Sequence, residues 1–198
     1  MRKLRIVAAL LLSALVGFAL TMPASAETAK RLYNPDTNTW EVPSVVPSRR
    51  GSPIKRQIVD YASNLRPGTI VVETSERRLY FVLPGGKALR YGVGVGRDGF
   101  RWSGQHRITR KAEWPGWTPP AEMRKRVPDL PAYMPGGPEN PLGARALYIG
   151  ATLYRLHGTS EPWTIGQAVS SGCIRLTNDD IVDLYDRASV GSLVIVHQ

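Results

Sequence analysis

Short apolar runs separated by turn-forming residues dominate the chain from Lys55 onward. Thr69-Ile70-Val71-Val72-Glu73 is β-branched, follows the turn pair Pro67-Gly68, and predicts a strand. Arg78 to Leu83 predicts a second strand, with Leu79 and Phe81 on one face and Tyr80 and Val82 on the other. Pro84-Gly85-Gly86 turns the chain, and Ala88 to Val95 returns as a third. Gln57 to Tyr61 carries a weaker strand pattern. Strand character resumes at Ala146 to Ile149 and at Leu153 to Leu156, the latter delivering His157 at its end. The unbroken apolar run Leu193 to Val196 predicts a closing strand in a central position. Helical spacing occurs at Ile181, Leu184, Tyr185 and Ala188. Thr177 or Asn178 can cap that helix, Asp179 and Asp180 suit the positive end of its dipole, and Gly191 breaks it. The pattern predicts a mainly β, sandwich-like domain with one short helix near its end.

Two stretches depart from this alternation. Eight prolines fall between Pro115 and Pro141, so regular structure is improbable there except for a helical turn at Ala121 to Arg126. Trp114, Trp117, Tyr133 and Met134 give this loop something to pack. It reads as a substrate-covering lid with Trp117 and Tyr133 as substrate contacts, or as a purely structural excursion. Residues 27–54 are polar, contain Pro35, Pro43, Pro47 and Pro53, and read as a flexible tail. Before them, Arg2, Lys3 and Arg5 precede an apolar run from Ile6 to Leu20, followed by Ala24-Ser25-Ala26. That order predicts a cleaved signal peptide over residues 1–26, export to the periplasm, and no stable membrane anchor after cleavage. The domain itself is expected over residues 55–198.

The formal net charge of +10 over 198 residues predicts attraction to anionic surfaces such as wall polymers. Nucleic acid is a poor reading, because the cations are scattered and no zinc spacing or basic helix accompanies them. His106, His157 and His197 lie far apart in the sequence, so no metal site is expected. Gly92-Val93-Gly94-Val95-Gly96 reads as a strand with small residues on one face, since a nucleotide loop needs other spacing and a following helix. No cofactor is called for.

The chemistry concentrates at Cys173, the single cysteine, in the run Ser170-Ser171-Gly172-Cys173-Ile174-Arg175. An odd thiol in an exported chain pairs with another chain, stays buried, or reacts. His157-Gly158 upstream and Arg175 just after it favour reaction, because an imidazole and a cation both raise the thiolate fraction. Cys173 is then the nucleophile and His157 the base that takes its proton and returns it to the leaving amine. Gly158 and Gly172 let backbone approach the thiol, and amides of Gly158, Gly172 and Cys173 are candidate oxyanion donors. His106 is a further imidazole able to fold near the site, and His197 reads as a surface residue.

His157-Gly158-Thr159, a gap, and Ser-x-Gly-Cys-x-Arg resemble the L,D-transpeptidase catalytic domain of the YkuD type. Gly68 to Val72, Leu79-Tyr80, Tyr91 to Arg97, Trp114 to Pro120, Gly137 to Gly143 and Tyr154 to Thr159 extend the resemblance over roughly residues 56–198. It implies a mostly β cysteine enzyme acting on peptidoglycan stem peptides. The thiolate would attack the carbonyl of the third residue of a tetrapeptide stem and release the terminal D-alanine. An amine then accepts the acyl group: another stem, giving a 3→3 cross-link, or an outer-membrane protein. Water as acceptor would make the chain a carboxypeptidase or hydrolase instead, and a non-catalytic wall-binding module is a further alternative. A papain-like protease fits less well, because its cysteine has another local context and here the histidine comes first. Arg175 matches a family position and is placed to bind a stem carboxylate or to favour the thiolate, with a structural ion pair as the plain alternative. One position departs from the pattern: Ser171 stands where the family usually has histidine, and serine cannot act as a base near neutral pH. Ser171 is therefore read as a substrate-contacting residue.

Overall fold

The computed structural model describes residues 32–34, 39–41 and 52–198. The signal-peptide reading for residues 1–26 lies outside the described residues, as does most of the tail. Within the tail, Leu32–Asn34 (β1) and Thr39–Glu41 (β2) pair antiparallel, with Tyr33 opposite Trp40.

The domain is mainly β. Its strands are Gln57–Asp60 (β3), Ile70–Glu73 (β4), Arg78–Leu83 (β5), Lys87–Gly92 (β6), Val95–Gly96 (β7), Gly104–Glu113 (β8), Arg145–Ile149 (β9), Arg155–His157 (β10), Ala168–Ser170 (β11), Ile174–Arg175 (β12) and Leu193–His197 (β13). Nine of them form one sheet in the order β12-β10-β9-β8-β13-β4-β5-β6-β3. The meander β4-β5-β6 is antiparallel, as the alternation predicts. β13 lies between β4 and β8, parallel to the first and antiparallel to the second. Its Val194 and Val196 are almost wholly buried, which is why its apolar run is unbroken.

The third strand is shorter than expected. β6 ends at Gly92, and Val95–Gly96 leaves the sheet to pair in parallel with β11. The glycines explain the departure. A Cβ at Gly92 would sit 2.6 Å from Ile54 Cβ, and one at Gly96 would sit 2.6 Å from the Phe100 carbonyl oxygen. This is a segment crossed closely by other chain, and an isolated bridge ties Gly94 to Arg175.

Asn178–Arg187 (α2) starts where the capping residues place it. Thr177 Oγ1 accepts from the Asp180 amide at 3.1 Å. Ile181 and Leu184 join the main core with Leu147, Ile149, Leu156 and Ile174. The helix ends before Gly191. Lys111 Nζ reaches over from β8 and donates to the Tyr185 and Ala188 carbonyls at 2.5 and 2.7 Å, satisfying acceptors that a helix end leaves open.

The proline-rich stretch holds Ala121–Arg126 (α1) and little other regular structure. Trp117, Met123, Leu130 and Leu142 form a second small core, and Trp117 exchanges backbone hydrogen bonds with Met134 at 2.8 Å. No helix among the described residues is long and apolar enough to cross a membrane.

Candidate active site

The site lies at the β12 end of the large sheet. β10 and β12 run parallel, with Leu156 opposite Ile174 and His157 opposite Arg175. Leu156 and Ile174 are buried in the core, so the next pair turns to the opposite face. Cys173 precedes Ile174 by one residue, and the two-residue period returns it to the face of His157. A partly exposed thiol and a buried imidazole thus share one side of adjacent strands.

His157 Nδ1 lies 2.6 Å from the Gly158 carbonyl oxygen. That oxygen only accepts, so Nδ1 carries the hydrogen and Nε2 holds the lone pair. Burial, then the charges of Arg175 and Arg155, hold the imidazole pKa down to about 3, against the Gly158 hydrogen bond, which raises it. His157 is therefore neutral throughout the physiological range, with Nε2 as its acceptor nitrogen.

The Ser170–Cys173 loop is pinned at successive atoms. The Gly172 amide donates to Ser170 Oγ at 3.1 Å, and that hydroxyl donates to the Cys173 carbonyl at 2.6 Å. Trp102 Nε1 donates to the Gly172 carbonyl at 2.8 Å. Trp102 stacks on Tyr154 at 4.5 Å between centroids, and a Cβ at Gly172 would meet Tyr154 Cε1 at 2.5 Å. Gly172 also has φ +106, so both its conformation and its surroundings demand glycine. Ser170, Trp102 and Tyr154 carry no role in the sequence reading. The serine was visible as part of the motif, but the two aromatics reach the loop from distant segments.

Other sequence-predicted residues fall in different places. The Gly158 amide donates to the Arg145 carbonyl at 3.1 Å, so it closes the β9–β10 ladder and does not face an incoming oxyanion. The Gly172 amide is likewise engaged, by Ser170. A Cβ on Gly158 would meet Asn178 Oδ1 at 2.3 Å, which accounts for glycine there. Arg175 is 3% exposed and pairs with buried Glu161 at 3.4 Å, the structural ion pair weighed as its alternative. Trp117 is buried in the proline-rich segment's own core, whereas Tyr133 is exposed. Ser171 is partly exposed. His106 packs edge-on to Trp102 at 5.9 Å, one ring removed from the Ser170–Cys173 loop. His197 is exposed and meets Glu73 at 2.7 Å. Among the described residues no cluster of three His, Cys, Asp or Glu side chains could hold a metal ion. A cavity of about 710 Å³ lies between Ser52–Arg56, Pro138, the Thr159–Pro162 loop and the start of α2, and neither Cys173 nor His157 lines it.

A partly exposed thiol and a buried, neutral imidazole thus lie on one side of neighbouring segments in a mainly β domain. The chain belongs to the YkuD family of L,D-transpeptidase catalytic domains, whose model matches residues 67–196. It is 44% identical over 133 residues to the probable L,D-transpeptidase ErfK/SrfK of Escherichia coli K12, covering 63% of this chain and 42% of that one. Against the probable L,D-transpeptidase YbiS of the same organism it is 42% identical over 134 residues, covering 63% and 43%. The chain thus matches less than half the length of these relatives. Among solved structures it resembles L,D-transpeptidase 3 of Mycobacterium tuberculosis in complex with a faropenem-derived adduct, with TM-score 0.52, 17% identity and coverage of 66% and 60%. It also resembles a Brucella melitensis protein described as a probable carnitine operon oxidoreductase, with TM-score 0.50, 43% identity and coverage of 70% and 90%. That description names another activity, while the family match places this chain among the transpeptidases.

Proposed function

We propose that this protein is an exported peptidoglycan L,D-transpeptidase with Cys173 as nucleophile and His157 as base. The observation that carries the reading is the His157 tautomer: Nδ1–H on the Gly158 carbonyl aims a lone pair from Nε2 on the face that Cys173 shares. In the first half-reaction the thiol proton passes to Nε2 while a bond forms between Sγ and the carbonyl carbon of the stem's third residue. The Cys173 amide receives the oxyanion. The Gly172 and Gly158 amides are already engaged, and Trp102 orients the Gly172–Cys173 peptide through its carbonyl. The C–N bond then breaks, His157 returns its proton to the departing D-alanine amine, and a thioester remains. In the second half an acceptor amine attacks the thioester, gives its proton to His157, and the C–S bond breaks to restore the thiol.

Ser171 supplies no second imidazole, so one base serves both halves. The family's substrate class supports a tetrapeptide stem in the periplasm as donor, with a second stem or an outer-membrane protein supplying the amine. The test is mass spectrometry of muropeptides after purified protein meets tetrapeptide-bearing sacculi. New 3→3 dimers are expected. Shortened stems without dimers would make water the acceptor, and unchanged sacculi would leave a wall-binding module.

A further inference from the structure

We propose that Arg155 reads the free terminal carboxylate of the residue released from the donor peptide, and so selects stems that end one residue past the bond attacked. The inference rests on the transpeptidase reading above and adds a specificity residue to it.

Three observations place the guanidinium. Cys173 Sγ lies 4.0 Å from the Leu153 carbonyl oxygen, and Arg155 Nη2 donates to the same oxygen at 3.1 Å. Sharing that oxygen keeps sulfur and guanidinium within about 7 Å of each other. Second, Arg155 is the exception among the arginines around the thiol. Arg175 is deep in a pair with Glu161, whereas no carboxylate among the described residues meets Arg155. A guanidinium beside the thiol with no protein carboxylate on it is open to one from the substrate. Third, Arg155 is held in place from behind. It faces Tyr148 across the β9–β10 pair, with its guanidinium carbon 5.6 Å from that ring. Arg110, opposite Tyr148 on β8, covers the ring at 3.6 Å. Two cations along one register row make this strip of the sheet strongly positive right up to the thiol.

The donor's dimensions fit that spacing. The carboxylate of the departing residue is three bonds from the carbonyl carbon under attack, which puts it about 4 Å away by standard backbone geometry. The sulfur approaches that carbon to about 3 Å. The carboxylate therefore arrives about 5–7 Å from Sγ, within reach of a guanidinium that makes paired hydrogen bonds to carboxylates. A longer stem presents a neutral peptide group at the same point and loses the charge-assisted contact. A carboxylate on the side chain of the stem's diamino acid is the other source of the same chemistry, and the experiment separates the two.

Acyl-enzyme formation is followed by intact-protein mass spectrometry in wild type, Arg155→Gln and Arg155→Lys. Three synthetic donors are compared: the free tetrapeptide, its C-terminal carboxamide, and a tetrapeptide amidated only on the diamino acid side chain. Wild type should acylate with the free acid about 10–100-fold faster than with the carboxamide, the range of a charged hydrogen bond. Arg155→Gln should cut the acid-to-carboxamide rate ratio by that factor, whatever common change the lost charge near His157 makes to both donors, and Arg155→Lys should restore part of the ratio. The side-chain amide should behave like its parent. Alkylation of Cys173 by iodoacetamide reads that common change in thiol reactivity separately from donor recognition, and the melting temperature should match wild type in the glutamine variant. An acid-to-carboxamide ratio in Arg155→Gln equal to that of wild type overturns the assignment in favour of an effect on the thiol. Loss of selection with the side-chain amide alone overturns it in favour of the other carboxylate. No acyl-enzyme in wild type with any donor overturns the transpeptidase reading itself, and the Arg155 assignment with it.

Discussion

At the scale of single residues, the motif drew attention to the thiol and the imidazole, and the structure adds the state of the imidazole. His157 is kept neutral by burial, then by two arginines. Cys173→Ala should abolish acylation and covalent labelling by a carbapenem while the melting temperature stays near wild type; labelling of the alanine variant would move the nucleophile elsewhere. The depressed imidazole also marks stability. The unfolded chain protonates His157 below about pH 6.5, and the folded one does so only near pH 3, so stability falls as pH falls between those values. Urea titrations from pH 6 to pH 4 should show wild type losing about 1.4 kcal/mol per pH unit more than His157→Gln. Equal slopes would show an imidazole that titrates normally. The same substitution should slow acylation about 100-fold or more. What the motif could not disclose is the packing around it. Trp102 holds Gly172 across 70 positions of chain, and no local spacing encodes that contact.

Among the elements, legibility followed burial. β4 and β13 bury most of their side chains and β5 half of them, and their apolar patterns stand out. β8 is the longest strand, yet it buries only Ile108 fully and is otherwise a run of Gln, His, Arg, Thr and Lys. A strand like that offers no apolar alternation to read, and its place between β9 and β13 comes from backbone pairing. β11 and β12 are too short for any periodic signal. The helix was legible at its start, where Thr177 caps it, and less so at its end, where Ala188 is the cap and a lysine from another strand covers the Tyr185 and Ala188 carbonyls. Thr177→Ala should cost about 1 kcal/mol in chemical denaturation. Lys111→Met should cost a similar amount through the two uncovered carbonyls, with amide exchange rising in the last turn of α2 and little change at its start. A uniform rise in exchange would argue against a local cap.

For the whole molecule, composition spoke to attraction and the sheet to architecture. The excess of ten positive charges, seven once residues 1–26 with Arg2, Lys3 and Arg5 are removed, should make sacculus binding fall steeply between 50 and 300 mM salt, while acylation by a small soluble donor changes little. Salt-independent sacculus binding would assign recognition to specific contacts alone. The proline-rich stretch shows the limit of reading at this scale. Its aromatic residues announced that it packs, but only the structure showed Trp117 turned into a small core of its own while Tyr133 stays in solvent.

Cys173, the proposed nucleophile, immediately precedes the outermost strand of the large sheet, a strand of two residues hydrogen-bonded to β10 and bridged to Gly94. Such a margin opens before the centre does. Under mild urea this protein should fall silent while its tryptophans still report an intact interior, and return to work on dilution without refolding. Its durability as a catalyst is then that of its rim, so engineering for longevity belongs at the Gly94–Arg175 seam and not in the middle of the sheet.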